Sequence, residues 1–363
     1  MKMHKLWRAV GAMAAGNGRF SRRTLWPRRS ALGTCAALAA LCAFVAVAAA
    51  RTPGEKTKAE QAHETAPSWA FVVEPRRPAS HGPAKPADNA LRHVPGSRAA
   101  FTLRQINDGF NPPDWHPGGH PPMPEVVAHG RKPHVMACGY CHLPNGQGRP
   151  ENASLAGLPA AYIVQQMADF KDRTRKTAKN TGPISAMVTH ETLANKQEIR
   201  AAARYFSRLK PKPWIRVVET RTVPRTHVAG WMLVPVAGGG SVPIGRRIIE
   251  TPVNLEQTEM RDDASGFIAY APVGSIRKGK ALATTGGAGT TLPCDSCHGP
   301  DLRGSGNVPT IAGRSPSYIV RQLCDFHSGA RAGADAQLMQ PVAAKLTVDD
   351  MVSIAAYLAS LHP

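Results

Sequence analysis

The sequence predicts a mainly α-helical protein in two similar halves, joined by a small β-rich connector. Three observations carry this. A pentapeptide occurs twice, as Cys138-Gly-Tyr-Cys141-His142 and Cys294-Asp-Ser-Cys297-His298. The residues that follow repeat at the same offset of 156: Leu155-Ala-Gly157 and Tyr162 to Phe170 answer to Ile311-Ala-Gly313 and Tyr318 to Phe326. Between the halves, residues 211–274 alternate apolar and polar positions around turn signals such as Gly238-Gly-Gly240.

The chain is 363 residues long, room for two or three small domains. Residues 1–50 contain eight Lys and Arg and no acid, and residues 31–50 form an uncharged, Ala-rich run ending Ala48-Ala49-Ala50. This reads as a signal peptide. The run is also just long enough to span a bilayer, so an uncleaved anchor in the inner membrane is the alternative. Both versions put the rest of the chain in the periplasm, because the positive side stays inside. Residues 51–100 hold Pro67, Pro75, Pro78, Pro83, Pro86 and Pro95 and read as a Pro/Ala-rich linker. Its one apolar island is Trp69-Ala-Phe-Val-Val73.

The first helical domain is placed at 101–210, the connector at 211–274 and the second helical domain at 275–363. Phe101 to Phe110 is expected as a short helix and Glu125 to Gly130 as one or two turns. The Pro-rich stretch with His116, His120 and Met123 reads as a polar loop over a domain edge. A copper site there is the competing picture. In each half apolar residues at helical spacing predict an amphipathic helix (Ile163, Met167 and Phe170; Ile319, Leu323 and Phe326). Each half then closes with a capped helix, opened by Asn195-Lys-Gln-Glu198 or Thr347-Val-Asp-Asp350, at an offset of 152.

The pentapeptide reads C-x-x-C-H, the attachment signal for c-type haem. Two thiols at this spacing can add to the two vinyl groups of one porphyrin, and the next histidine supplies an axial nitrogen. Structural zinc needs four ligands, and here each Cys pair stands alone with its own histidine. Cys138, Cys141, His142, Cys294, Cys297 and His298 are therefore the candidate residues for two covalently bound haem c groups, with His142 and His298 on iron. The offset of 152 maps Met187 onto Met339, each between the two helices of its half. A thioether there is a candidate sixth ligand. For the first haem His190, three residues on, is the competing donor. Cys324 reads as a small buried hydrophobe.

This pattern resembles class I cytochromes c, specifically the tandem two-haem cytochrome c4-like family, over residues 125–209 and 276–361. The resemblance implies two haem-wrapping domains, and a proline carbonyl that accepts from the proximal histidine. Pro309 stands in that place in the second half; Ala153 replaces it in the first. The β-rich connector is longer than the family's usual linker. The implied role is electron transfer between a donor and an acceptor such as an oxidase, reductase or dehydrogenase, with no catalysis of its own. A dedicated subunit of a dehydrogenase complex and a dihaem peroxidase are the alternatives. The net charge of +20 admits a nucleic-acid reading. The sequence has no aromatic-and-basic binding module, so no nucleic-acid partner is expected. The basic stretch Lys171, Arg173, Arg175, Lys176 and Lys179 is read either as a solvated loop or as a rim that steers an acidic redox partner.

Overall fold

The computed structural model describes residues 66–75 and 88–363. The signal or anchor predicted at residues 1–50 lies outside the described residues, as does much of the linker. Among the described residues, no helix is long and apolar enough to cross a membrane.

The described chain opens on a two-residue pairing of β1 (Leu91–Arg92) with β2 (Phe101–Thr102), then α1 (Leu103–Ile106). The expected helix from Phe101 is thus shorter than the pattern suggested. Phe101 and Thr102 are taken up by strand pairing, and Thr102 with Gln105 forms a reciprocal capping box. Pro117–Gly119 makes a single 3₁₀ turn, with Gly119 N–H donating to His116 O at 2.8 Å.

The first repeat consists of α2 (Glu125–Ala128), α3 (Cys138–His142), α4 (Ala160–Lys171), α5 (Gly182–Leu193) and α6 (Lys196–Arg208). Asn195 caps α6 in a box with Glu198, as the sequence signalled. The core of this repeat gathers Val126, Val127, Leu158, Ile163, Ala203 and Phe206.

The connector is β-rich as expected. It runs through β3 (Ile215–Thr220), β4 (Thr222–Pro224), β5 (Thr226–Ala229), β6 (Met232–Pro235), β7 (Ser241–Pro243) and β8 (Ile249–Pro252). A short helix α7 (Leu255–Glu259) and β9 (Phe267–Pro272) complete it. β9 lies between β3, to which it is parallel, and β8, to which it is antiparallel. Phe267, Ala269 and Ala271 alternate inward along β9.

The second repeat consists of α8 (Ser275–Thr285), α9 (Asp295–His298), α10 (Pro316–His327), a 3₁₀ turn at Ala334–Leu338, α11 (Gln340–Ala343) and α12 (Val348–Ser360). α8 crosses α12 so closely that a Cβ on Gly279 would run into the Ser353 carbonyl. That crossing requires glycine. The core of this repeat draws in other segments: Ile248 and Ala271 from the connector, and Ala70 and Phe71 from the Trp69–Val73 island. Burying Phe71 contributes about 2 kcal/mol, enough to hold the island against this half. Cys324 is fully buried in the same core, its Sγ 3.6 Å from Met351 Sδ, and burial pushes its thiol up to about 12.

Candidate functional site

Each pentapeptide forms one short helical turn, α3 or α9, that ends on its histidine. The residue after that histidine has a left-handed backbone in both halves: Leu143 with φ 62° and ψ 155°, Gly299 with φ 84° and ψ 157°. This region is essentially restricted to glycine, and Leu143 tolerates it because its side chain is buried in the interior. The turn carries the chain back over the imidazole, where Gly148 N–H donates to His142 O at 2.9 Å and Gly304 N–H to His298 O at 2.7 Å.

The return strand supplies the acceptor for the ring. His142 Nδ1 donates to Ala153 O at 2.8 Å, and His298 Nδ1 donates to Pro309 O at 2.8 Å. Both histidines are buried. A backbone carbonyl on Nδ1–H fixes the tautomer and leaves Nε2 with the lone pair, the state that binds a metal. Ala153 does this as well as Pro309, because the acceptor is the backbone. Burial pulls the His298 pKa down while the Pro309 carbonyl works against it, so the neutral ring is favoured.

Beyond the histidine, the Ala-Gly element closes each half onto its last helix. Gly157 (φ 71°) donates to Phe206 O at 3.0 Å, and Gly313 (φ 67°) donates to Leu358 O at 2.8 Å. These matched hydrogen bonds explain why the two halves share Ala-Gly at this point.

In the first half, Cys138, Cys141, His142 and Met187 line one cavity of about 190 Å³, with Ile163, Met167, Phe170 and Phe206 among its apolar walls. Met187 lies inside α5, a further helix between α4 and α6; α5 starts at Gly182, packed against the Trp231 indole with no room for a Cβ. In the second half, Met339 caps α11 and packs against Phe326, Ala336 and Ala343. Cys294 touches the core of that half and Cys297 is exposed. Burial pushes the Cys138 thiol up to about 12 and the Cys294 thiol to about 11, and raises Cys141. Such neutral sulfurs suit an apolar thioether link.

One part of the site was not legible as a site in the sequence. Arg175, in the stretch read as a basic surface loop, is buried, while Lys171, Arg173, Lys176 and Lys179 are exposed. Arg175 and Arg331 are repeat equivalents that pair backbone to backbone across the two halves. Arg175 donates to Gln166 at 2.9 Å in its own half, and to Tyr318 OH and Gln322 of the other at 3.1 Å each. Arg331 donates to Gln322 at 3.1 Å, and to Tyr162 OH at 2.9 Å and Gln166 across the interface. Each guanidinium stacks on the phenylalanine of its own half, at 4.6 Å from Phe170 and 4.5 Å from Phe326. Among the described residues neither makes an ion pair with a carboxylate. The 156 offset relating these two arginines was the signal available beforehand.

These residues fit c-type haem. The first cavity offers two thiols, an oriented imidazole, a thioether and apolar walls. Arg175 also lines it.

No family model matches the sequence. Individual relatives do. Cytochrome c-552 of Acidithiobacillus ferridurans is 41% identical over 227 residues, which are 62% of this chain and 73% of the relative. The thiosulfate dehydrogenase electron acceptor of Thiomonas intermedia (strain K12) is 27% identical over 236 residues, 63% of this chain and 80% of the relative. Cytochrome c4 of Pseudomonas aeruginosa is 24% identical over 233 residues, 63% and 85% of the two chains. The chain thus belongs to the dihaem cytochrome c4-like family, electron-transfer proteins with two covalently bound c-type haems.

Proposed function

We propose that Cys138 with Cys141 and Cys294 with Cys297 form the thioether links, that His142 and His298 are the proximal iron ligands, and that Met187 and Met339 are the distal ones. The observation that carries this is the pair of 2.8 Å bonds from His142 and His298 to backbone carbonyls eleven residues on. Met187 is taken as the ligand because its side chain lines the cavity that holds the first pentapeptide, and His190 stays the competing donor. Bound haem supplies a one-electron ferric/ferrous couple. The chain's own residues hold each imidazole neutral and oriented, keep water from the first cavity with apolar walls, and place buried positive charge between the halves. With both axial positions filled by protein, no site is left for substrate, so the chain acts as a carrier and not as an enzyme.

The functional units in this reading are two haem domains, at 101–210 and 275–363, with residues 211–274 as a connector packed on both. The chain works in the periplasm between a dehydrogenase and an oxidase or reductase, held at the inner membrane if residues 31–50 are retained. A relative described as an electron acceptor of thiosulfate dehydrogenase favours a dehydrogenase as the donor.

Redox-monitored spectroscopy of the holoprotein tests the ligands. Both ferric haems are expected to be low-spin with a weak far-red sulfur-to-iron band. Met339→Ala removes one half of that band and Met187→Ala the other. If His190→Ala, and not Met187→Ala, changes the first haem, Met187 is not its ligand. A high-spin haem that turns over peroxide would replace the carrier reading with the peroxidase.

A further inference from the structure

A second metal-ligating constellation lies away from both pentapeptides, where the segment before the first repeat packs on the connector. Trp115 anchors it: its Nε1 donates to Met260 O at 2.8 Å, and its ring meets Phe101 edge-on at 4.7 Å. The next residue, His116, is thereby brought against the loop after α7. Its Nε2 is 2.9 Å from Asp262 Oδ1. Asp262 is fully buried and held from behind: Oδ1 accepts from Ala264 N–H at 2.8 Å and Oδ2 from Gln257 Nε2 at 2.6 Å. One donor atom from each of His116, Asp262 and Asp263 lies within 4.8 Å of the other two.

Asp263 is the independent observation. It is only 7% exposed, and its Oδ1 is buried with no hydrogen-bond partner. A buried carboxylate oxygen without a donor, beside a second buried carboxylate, is unfavourable unless a cation faces it. Lys212 and Arg216 share the adjoining cavity of about 680 Å³ with His116 and Asp263, but neither forms an ion pair with Asp263 among the described residues. His120 is engaged with Asp114 at 3.1 Å. Met123, the third residue of the copper picture, packs on the core of the first repeat, so that trio is not assembled.

We propose that His116, Asp262 and Asp263 bind one divalent first-row transition ion, with zinc as the representative, and that the ion clamps the N-terminal segment to the connector. Ligands about 2.0–2.2 Å from a common ion sit roughly 3–4 Å apart, so the His116–Asp262 separation already suits neighbouring ligands. One imidazole with two carboxylates selects such an ion over calcium or magnesium, which take oxygen donors. The cavity gives a hydrated ion a path in and leaves room for water on the remaining positions. Gln257 and the Ala264 N–H are the outer partners that orient Asp262. The clamp also bears on the first pentapeptide. Arg261, next to Asp262, stacks 3.5 Å over Tyr140, between the two cysteines, and donates to Tyr140 O at 2.9 Å.

The test uses tag-free, chelator-treated holoprotein with both haems attached. Titration with zinc, followed by calorimetry and elemental analysis, is expected to find one zinc per chain beyond the two irons and a raised melting temperature. Calcium and magnesium at the same concentration should leave both unchanged. His116→Gln and Asp263→Asn should each weaken zinc at least about tenfold. Asp263→Asn should keep both haems and melt higher than the wild type without metal, because it removes a buried unpaired carboxylate. His129→Gln, an exposed histidine elsewhere, should change nothing. Absence of zinc beyond the irons, or unchanged uptake in Asp263→Asn, overturns the proposal and leaves a plain His116–Asp262 hydrogen bond.

Discussion

The two repeats build the same loop around the histidine and differ in the helix that enters it and in the setting of the methionine. In both, a residue with left-handed backbone follows the histidine, a carbonyl eleven residues on takes its Nδ1–H, and a left-handed glycine ties the chain to the last helix. Around this shared frame the first half has a four-residue entry helix and the second an eleven-residue one. The first places its methionine within a twelve-residue helix; the second places it at the junction of a 3₁₀ turn and a short helix. Backbone hydrogen-bond geometry is duplicated around the histidine, and side chains are duplicated where they meet across the halves. Side chains vary wherever a backbone atom does the job, as Ala153 and Pro309 do.

Four sets of substitutions sharpen this comparison. The largest effect is expected at the helix crossing unique to the second half. Gly279→Val forces α8 off α12 and should cost about 4 kcal/mol or more, whereas Ala128→Val on α2 should cost under about 1 kcal/mol. Denaturant unfolding of the two variants reads the contrast directly. Next come the interface arginines. Arg175→Met or Arg331→Met strands a tyrosine hydroxyl and glutamine carbonyls and should cost about 3 kcal/mol each. If the halves are joined through this lattice, the double substitution costs clearly less than the sum.

A smaller effect is tied to pH. Burial raises Asp325 from 3.8 to about 6 despite the Ala178 N–H it accepts at 2.7 Å. Between about pH 4 and pH 6 the folded chain therefore holds this proton more tightly than the unfolded one. Stability falls as pH rises through that window and levels off above it, by at most about 3 kcal/mol. Asp325→Asn should flatten that slope. The smallest effects belong to the exchanged acceptors. Pro309→Ala and Ala153→Pro should each change stability by under about 1 kcal/mol and leave the haem spectrum unaltered, because each keeps the carbonyl. A loss of low-spin iron in either variant would show that the proline ring, and not its carbonyl, sets the imidazole.

Much of the site was legible because its parts are local or repeated. C-x-x-C-H is one helical turn, the capping boxes span four residues, and the 156 and 152 offsets align the rest. Placements that depended on distant chain were misjudged or silent. Phe101 was read into a helix and is paired in a strand; Met187 was read only as lying between two helices and lies in a further helix that starts against Trp231. Arg175 carries the same charge as its exposed neighbours, and only its partners on the other half distinguish it.

By itself the sequence determined the two C-x-x-C-H turns, the amphipathic and capped helices of each half and the β character of the connector, while the carbonyl acceptors of His142 and His298 were expected from the family resemblance. The turns, helices and strands follow from short-range spacing and from matching the halves to each other. Tertiary structure alone decided that Arg175 and Arg331 interlock, that Phe71 enters the core of the second half, and that His116 meets Asp262 and Asp263 across about 146 residues of chain. Such contacts form when closing a long loop is outweighed by burying the groups at its ends, and that balance is struck among surfaces that exist only once the chain has folded.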